Sequence, residues 1–143
     1  MLIKQLSVFI ENKPGRLAAI IDVLGKNNID ISALSLADTS EYGILRLIVN
    51  NPETASKVLR ETGVVVKLTY VLAVAMDDTP GGLSKILDVI IKENINVDYM
   101  YAFVGAVSKK ALMVVKVSDP EAAYAALEAA GVGTANPKDI YRI

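Results

Sequence analysis

The sequence predicts an α+β protein of two tandem ferredoxin-like units, each β-α-β-β-α-β with an antiparallel sheet carrying both helices on one face. Three observations lead there. A strand–turn–helix motif occurs twice, apolar runs with strand and helix spacing follow it in the same order each time, and no Gly-, Ser- or Pro-rich spacer separates the copies. The units are expected at residues 1–68 and 69–143.

The motif is "FIENKPGRL", Phe9 to Leu17, which returns as "AMDDTPGGL", Ala75 to Leu83. Pro14 and Pro80 lie 66 positions apart, and at that offset Gly15 meets Gly81, Ile20 meets Ile86, Asp22-Val23 meets Asp88-Val89 and Asn28-Ile29 meets Asn94-Ile95. Further on the offset is 68, since Pro52-Glu53 matches Pro120-Glu121 and Gly63-Val64 matches Gly131-Val132. Ordered identities of this kind mark an internal repeat. The two inserted residues are expected in a loop between the matching blocks.

Local pattern supplies each element in turn. Residues 2–10 and 70–76 are apolar and rich in β-branched side chains, hence first strands. Leu17, Ile20, Ile21 and Leu24, and again Leu83, Ile86, Leu87 and Ile90, have the i, i+3, i+4, i+7 spacing of an amphipathic helix. Asn28 and Asn94 suit left-handed helix ends. "IDISALSLA" (29–37) and "INVDYMYAF" (95–103) read as second strands, with Ile29, Ile31 and Ala33, and Ile95, Val97 and Tyr99, on one face. "YGILRLIVN" and "KALMVVKVS" are third strands. "NPETASKVLRETG" and "DPEAAYAALEAAG" open with an Asn or Asp cap and Pro at the first helical position, and close on Gly. "VVVKL" is a fourth strand that runs through Lys67-Leu68-Thr69 into the second copy; the counterpart after Gly131 is weaker.

Composition narrows the function. The 143 residues are 52% hydrophobic with a net charge of −1, too near neutral for an electrostatically driven nucleic-acid binder. No apolar run approaches the ~18–20 residues of a membrane span, and the amino-terminal stretch lacks a secretory pattern. The expectation is therefore a cytoplasmic protein with no nucleic-acid or membrane partner. Without cysteine or histidine there is no disulfide framework, thiolate, imidazole base or usual zinc site. No catalytic residue, metal or cofactor is expected, and Asp77-Asp78, adjacent on a strand, would point to opposite faces.

"IENKPGRLAAIIDVLGKNNIDISAL" and "MDDTPGGLSKILDVIIKENINVDYM" each resemble the signature of the ACT domain, a small-molecule-binding regulatory module of amino-acid metabolism, and with flanking strands the likeness covers almost the whole chain. It implies a non-enzymatic regulatory protein, a homodimer, whose amino-acid effector lies between the first strand–helix loop of one domain and the second strand of its neighbour. Carried over by position, the implied ligand residues are Asn12, Gly15 and Leu17 with Asp30, and Asp78, Gly81 and Leu83 with Asn96. Lys13, Pro14 and Arg16 complete the first bend, and Thr79, Pro80 and Gly82 the second. The first half also resembles the acetolactate synthase small subunit, which implies the alternative of a regulatory subunit for an amino-acid biosynthetic enzyme. The second Pro-Gly copy departs from that family.

Elementary chemistry supports the bends as sites. A helix start presents unpaired N–H groups and partial positive charge, a seat for carboxylate. Glycine lets a ligand approach the backbone, and Asp30 or Asp78 offers a charge-assisted bond to an α-ammonium group. The competing reading is structural: Pro-Gly as a turn, Asn12 and Asp78 as helix caps, Asp30 and Asn96 as solvated strand residues, and Leu17 and Leu83 as core. The first bend is the more basic and the second the more acidic, so the two sites are expected to be unequal.

Overall fold

The computed structural model describes residues 1–38, 41–105 and 110–141. The chain divides into two compact units: Lys4–Thr69, here the first, and Met1–Ile3 with Tyr70–Ile143, the second. In chain order the elements are β1 (Leu2–Glu11), α1 (Arg16–Lys26), β2 (Ile31–Asp38), β3 (Tyr42–Val49), α2 (Pro52–Arg60), β4 (Val65–Asp77), α3 (Gly82–Lys92), β5 (Val97–Ala102), β6 (Lys110–Val117), α4 (Pro120–Ala130) and α5 (Pro137–Tyr141). The fourth strand of the first copy and the first strand of the second are one 13-residue element, β4.

In the first unit the strand order is β2-β3-β1-β4. Strand β3 lies antiparallel to both neighbours, with Glu11 opposite Tyr42 and Ile31 opposite Val49. Alternate residues Leu6, Val8, Ile10, Leu45, Leu47 and Val49 form a core with Ile20 and Leu24 of α1 and Leu59 of α2. That is the period-2 against period-3.6 match that sets helices on one sheet face. Asn51 caps α2, its side-chain oxygen accepting from the Thr54 N–H at 3.2 Å. Asn51→Ala is expected to destabilise the fold by about 1 kcal/mol in urea unfolding.

The second unit repeats this with β4-β6-β5 and a core of Leu72, Val74, Ile86, Ile90, Val115, Val117 and Leu127. Asp119 caps α4 as Asn51 caps α2, accepting from the Ala122 N–H at 3.1 Å. Asn28 and Asn94 hold the expected left-handed conformation, φ 56° and 57°. Offset 66 relates Glu11 to Asp77, whereas offset 68 relates Tyr42 to Lys110, so the inserted pair falls between β5 and β6.

Two details differ from the sequence reading. After Gly131 the described residues form no fourth strand. Gly133 makes an isolated bridge to Ala75, its left-handed φ of 74° bends the chain away, and Pro137 starts α5. The edge of β4 in this unit is met instead by the start of β1: the Ala73 N–H donates to the Met1 carbonyl at 2.8 Å, and the Met1 amine donates to the Ala73 carbonyl at 3.1 Å.

Second, a register shift interrupts each second strand, between Ile31 and Ala33 and between Val97 and Tyr99. A bulge adds one residue to the alternation. Ala33 therefore pairs with Ile48, and Tyr99 with Lys116, both off the helix-covered face, while Ile31 and Val97 stay on it. Tyr99 and Tyr101 then stack on one side of β5, ring centroids 6.4 Å apart.

Candidate functional site

Both Pro-Gly bends end in the same local structure. Gly15 and Gly81, rather than lying inside the helices, are the N-caps of α1 and α3, with φ of 84° and 86° and no side-chain capping bond. Neither Asn12 nor Asp78 caps. A Cβ at Gly15 or Gly81 would meet nothing within 4 Å, so the outer side of each bend is open. The Arg16 and Gly82 N–H groups turn back to the Lys13 and Thr79 carbonyls at 3.3 and 3.0 Å. The next N–H groups, at the start of each helix, have no residue four places earlier within the helix to accept them.

Beside each bend runs a groove, one per unit and at equivalent positions. The first, about 350 Å³, lies between the end of β1, the first turns of α1 and the turn after α2, with Glu11, Arg16, Ala19, Ile20, Tyr42 and Val64 among its walls. The second, about 360 Å³, lies between the end of the β4 strand, α3 and the turn after α4, and includes Asp77, Gly82, Lys85, Ile86, Lys110 and Val132. Both are at the lower end of the size range of small-molecule pockets, ~300–1,000 Å³.

Each groove has a carboxylate at its strand end, surrounded by cations. Lys13 Nζ approaches Glu11 Oε2 at 2.9 Å and Arg16 Nη2 at 3.8 Å. The Lys13 hydrogen bond first, then the Lys13 and Arg16 charges, hold the Glu11 carboxyl below the ordinary carboxylate range. Asp77 is paired with Lys110. That hydrogen bond, then the Lys110 charge and more weakly that of Lys85, lower its carboxyl in the same direction.

The expected residues divide accordingly. Arg16 and Gly82 line the grooves. Asn12, Lys13, Pro14 and Gly15, and Asp78, Thr79, Pro80 and Gly81, form the bends beside them. Leu17 is not core but 36% exposed, one turn before the packed part of α1; Leu83 packs against the second core. Asp30 and Asn96 are exposed and pinned at the starts of β2 and β5, where the Asn50 and Ser118 side chains accept from their N–H groups at 3.1 Å. Because Ile31 faces the end of β3 and Glu11 faces its start, Asp30 is a strand's length, about 24 Å, from the bend of its own unit. Within a unit the structure does not bring it to Gly15, nor Asn96 to Gly81.

Sequence reasoning missed Glu11 and Asp77, Ala19 and Lys85, and Tyr42 and Lys110. The signal was there: Glu11 and Asp77 share the 66-residue offset and lie within the repeated motif, and Gly63-Val64 with Gly131-Val132, which wall both grooves, were already part of the repeat.

The ACT domain pair family matches residues 1–127. The chain belongs to the ACT-domain family. Its fold is that of small-molecule-binding regulatory domains, in a tandem ferredoxin-like arrangement. A crystal structure of protein BT0572 from Bacteroides thetaiotaomicron is 36% identical, with a TM-score of 0.91 over 100% of this chain and 98% of that one. The regulatory subunit of aspartate kinase from Thermus thermophilus, ligand-free, is 17% identical with a TM-score of 0.66 over 92% of this ACT pair and 95% of that chain. Aspartokinase III of E. coli, in complex with aspartate and ADP, is 19% identical with a TM-score of 0.56 over 90% of this chain and 32% of that one. At the two lower identities the likeness is one of fold. No curated protein matches.

Proposed function

We propose that this ACT pair is a non-enzymatic regulatory protein that binds an amino acid at its strand–helix bends. The supporting observation is the duplicated groove, in which a strand-end carboxylate and nearby cations stand beside a helix start that has no side-chain cap. Carboxylate and cation are the complements of α-ammonium and α-carboxylate, and the uncapped N–H groups favour the anionic end. A second copy of the chain closing the exposed side of each bend belongs to this reading. Ligand binding regulates only if it discriminates between two states of the protein.

A second reading, a regulatory subunit of an amino-acid biosynthetic enzyme, is favoured by the match in length to the aspartate kinase regulatory subunit. Co-purification of a catalytic subunit separates the two.

A thermal-shift screen of the common amino acids tests the binding itself. A ligand at ~100 times its Kd stabilises by roughly 2.7 kcal/mol. Gly15→Asp or Gly81→Asp is expected to remove the shift at its own site, by placing like charge against the ligand carboxylate. Aspartate tolerates left-handed φ better than most residues, so it strains these bends less than most side chains would. A shift unaffected by either substitution overturns the assignment.

A further inference from the structure

The two units wall their grooves differently. At offset 68 the stretch Gly63-Val64-Val65-Val66 after α2 corresponds to Gly131-Val132-Gly133-Thr134 after α4. In the first unit the chain runs straight into strand: Val65 and Val66 belong to β4, and Val66 is part of the core. In the second, the same positions cross the groove outside any strand. Gly131 and Gly133 are both left-handed, φ 66° and 74°. An isolated bridge ties the crossing to β4, the Ala75 N–H donating to the Gly133 carbonyl at 3.4 Å. Its ends are fixed. The Val132 N–H donates to the Leu127 carbonyl at 3.1 Å, Val132 packs against the second core, and Ala135 is buried. Gly133 and Thr134 span the gap between these anchors.

The crossing borders space on two sides: the groove itself, about 360 Å³, and a recess of about 60 Å³ beside Met1, Tyr124 and Leu127. Between them Gly133 lies against α3, where a Cβ would stand 3.2 Å from Ile86 Cδ1. Ile86 lines the groove yet is only 2% exposed.

We infer that Gly133 and Thr134 form a hinged strap over the second groove, and that its apolar floor at Ile86 is reached when the strap swings off β4 toward the recess. Opening breaks the long Ala75–Gly133 hydrogen bond while Val132 and Ala135 stay packed, so it is a local event well below the cost of global unfolding. Glycine at 133 lets the backbone leave the left-handed region without a steric barrier. In the first groove the equivalent residues are held in the sheet, so one site stands formed and the other opens. A ligand that fits only the open form shifts the strap toward it. As regulation of a ligand site this rests on the amino-acid-binding reading above; the opening itself does not.

The chain has no cysteine, so a single introduced thiol reports opening without background. Ile86→Cys and Ile20→Cys place one at equivalent groove-lining positions, both buried in the wild type. Labelling of the full chain by N-ethylmaleimide is followed across low urea concentrations. Ile86→Cys is expected to label at a rate that barely changes with urea, the mark of a small opening, and Ile20→Cys only through urea-dependent unfolding. Gly133→Ala strains the closed, left-handed strap and should speed Ile86→Cys labelling about tenfold at the same shallow urea slope. Because Ile86→Cys removes core volume, hydrogen exchange of the wild-type Ala75 amide is a second measurement. It should also be nearly independent of urea, and faster than exchange at Ala73, whose N–H donates to the Met1 carbonyl at 2.8 Å. Urea-dependent exchange at Ala75, Ile86→Cys and Ile20→Cys labelling with the same urea slope, or no effect of Gly133→Ala, overturns the strap and leaves the amino-acid-binding reading standing. Urea-independent opening in a protein that binds none of the common amino acids keeps the strap and overturns that reading instead.

Discussion

Ile90→Ala is expected to destabilise the protein by about 2–5 kcal/mol, while Ile91→Ala, one residue along, changes stability by no more than about 0.5 kcal/mol. Ile90 is fully buried on the sheet-facing side of α3, within the second core. Ile91 is 64% exposed. The chemistry removed is the same, so the difference isolates burial and the cavity left behind. Urea midpoints at equal slope measure it. Equal losses at the two positions would mean that α3 does not present this face to its sheet.

Gly82→Ala is expected to cost about 1–3 kcal/mol, the range for forcing atoms into filled space. A Cβ at Gly82 would stand 2.0 Å from the Asp77 carbonyl oxygen, a backbone atom that cannot swing aside. The second bend must open for alanine to fit, and Asp77 would move with it. Gly15→Ala provides the contrast. Space there is empty, but φ of 84° is strained for any Cβ, at about 1–2 kcal/mol. Gly82→Ala should therefore also disturb the Asp77–Lys110 pair, read as a rise in the Asp77 pKa toward the ordinary carboxylate value. Gly15→Ala should leave it in place. An unchanged midpoint for Gly82→Ala would contradict the close approach.

Much of this fold was legible because it is repeated. Each helix stripe, the Asn51 and Asp119 caps and the left-handed Asn28 and Asn94 depend on neighbours a few residues away, and two copies agreeing removed the ambiguity of either alone. What escaped were features set by distant partners or by one added residue. Tyr99 seemed to share a face with Val97 because strict alternation says so, and a single bulge moved it. Nothing local in "VGTANPKDIYRI" says that Met1 will meet Ala73. The bends were found from Pro-Gly, whereas the grooves beside them needed the register of β1 against β3 and of β4 against β6, which brings Tyr42 to Glu11 and Lys110 to Asp77. Glu11 belongs to the quoted motif, yet its role depends on neighbours that only the folded chain assembles.

The hydrogen bonds between Met1 and Ala73 join residues 72 positions apart. During synthesis Met1 is made 72 residues before its pairing partner. At ~5–20 residues per second, that interval is about 4–15 s. A nascent chain therefore carries an unmatched strand end for far longer than a hairpin takes to close, ~1–10 μs. The second unit is completed by a segment made well before the rest of it, so a fragment beginning at residue 70 would lack that partner however well the rest of it packs.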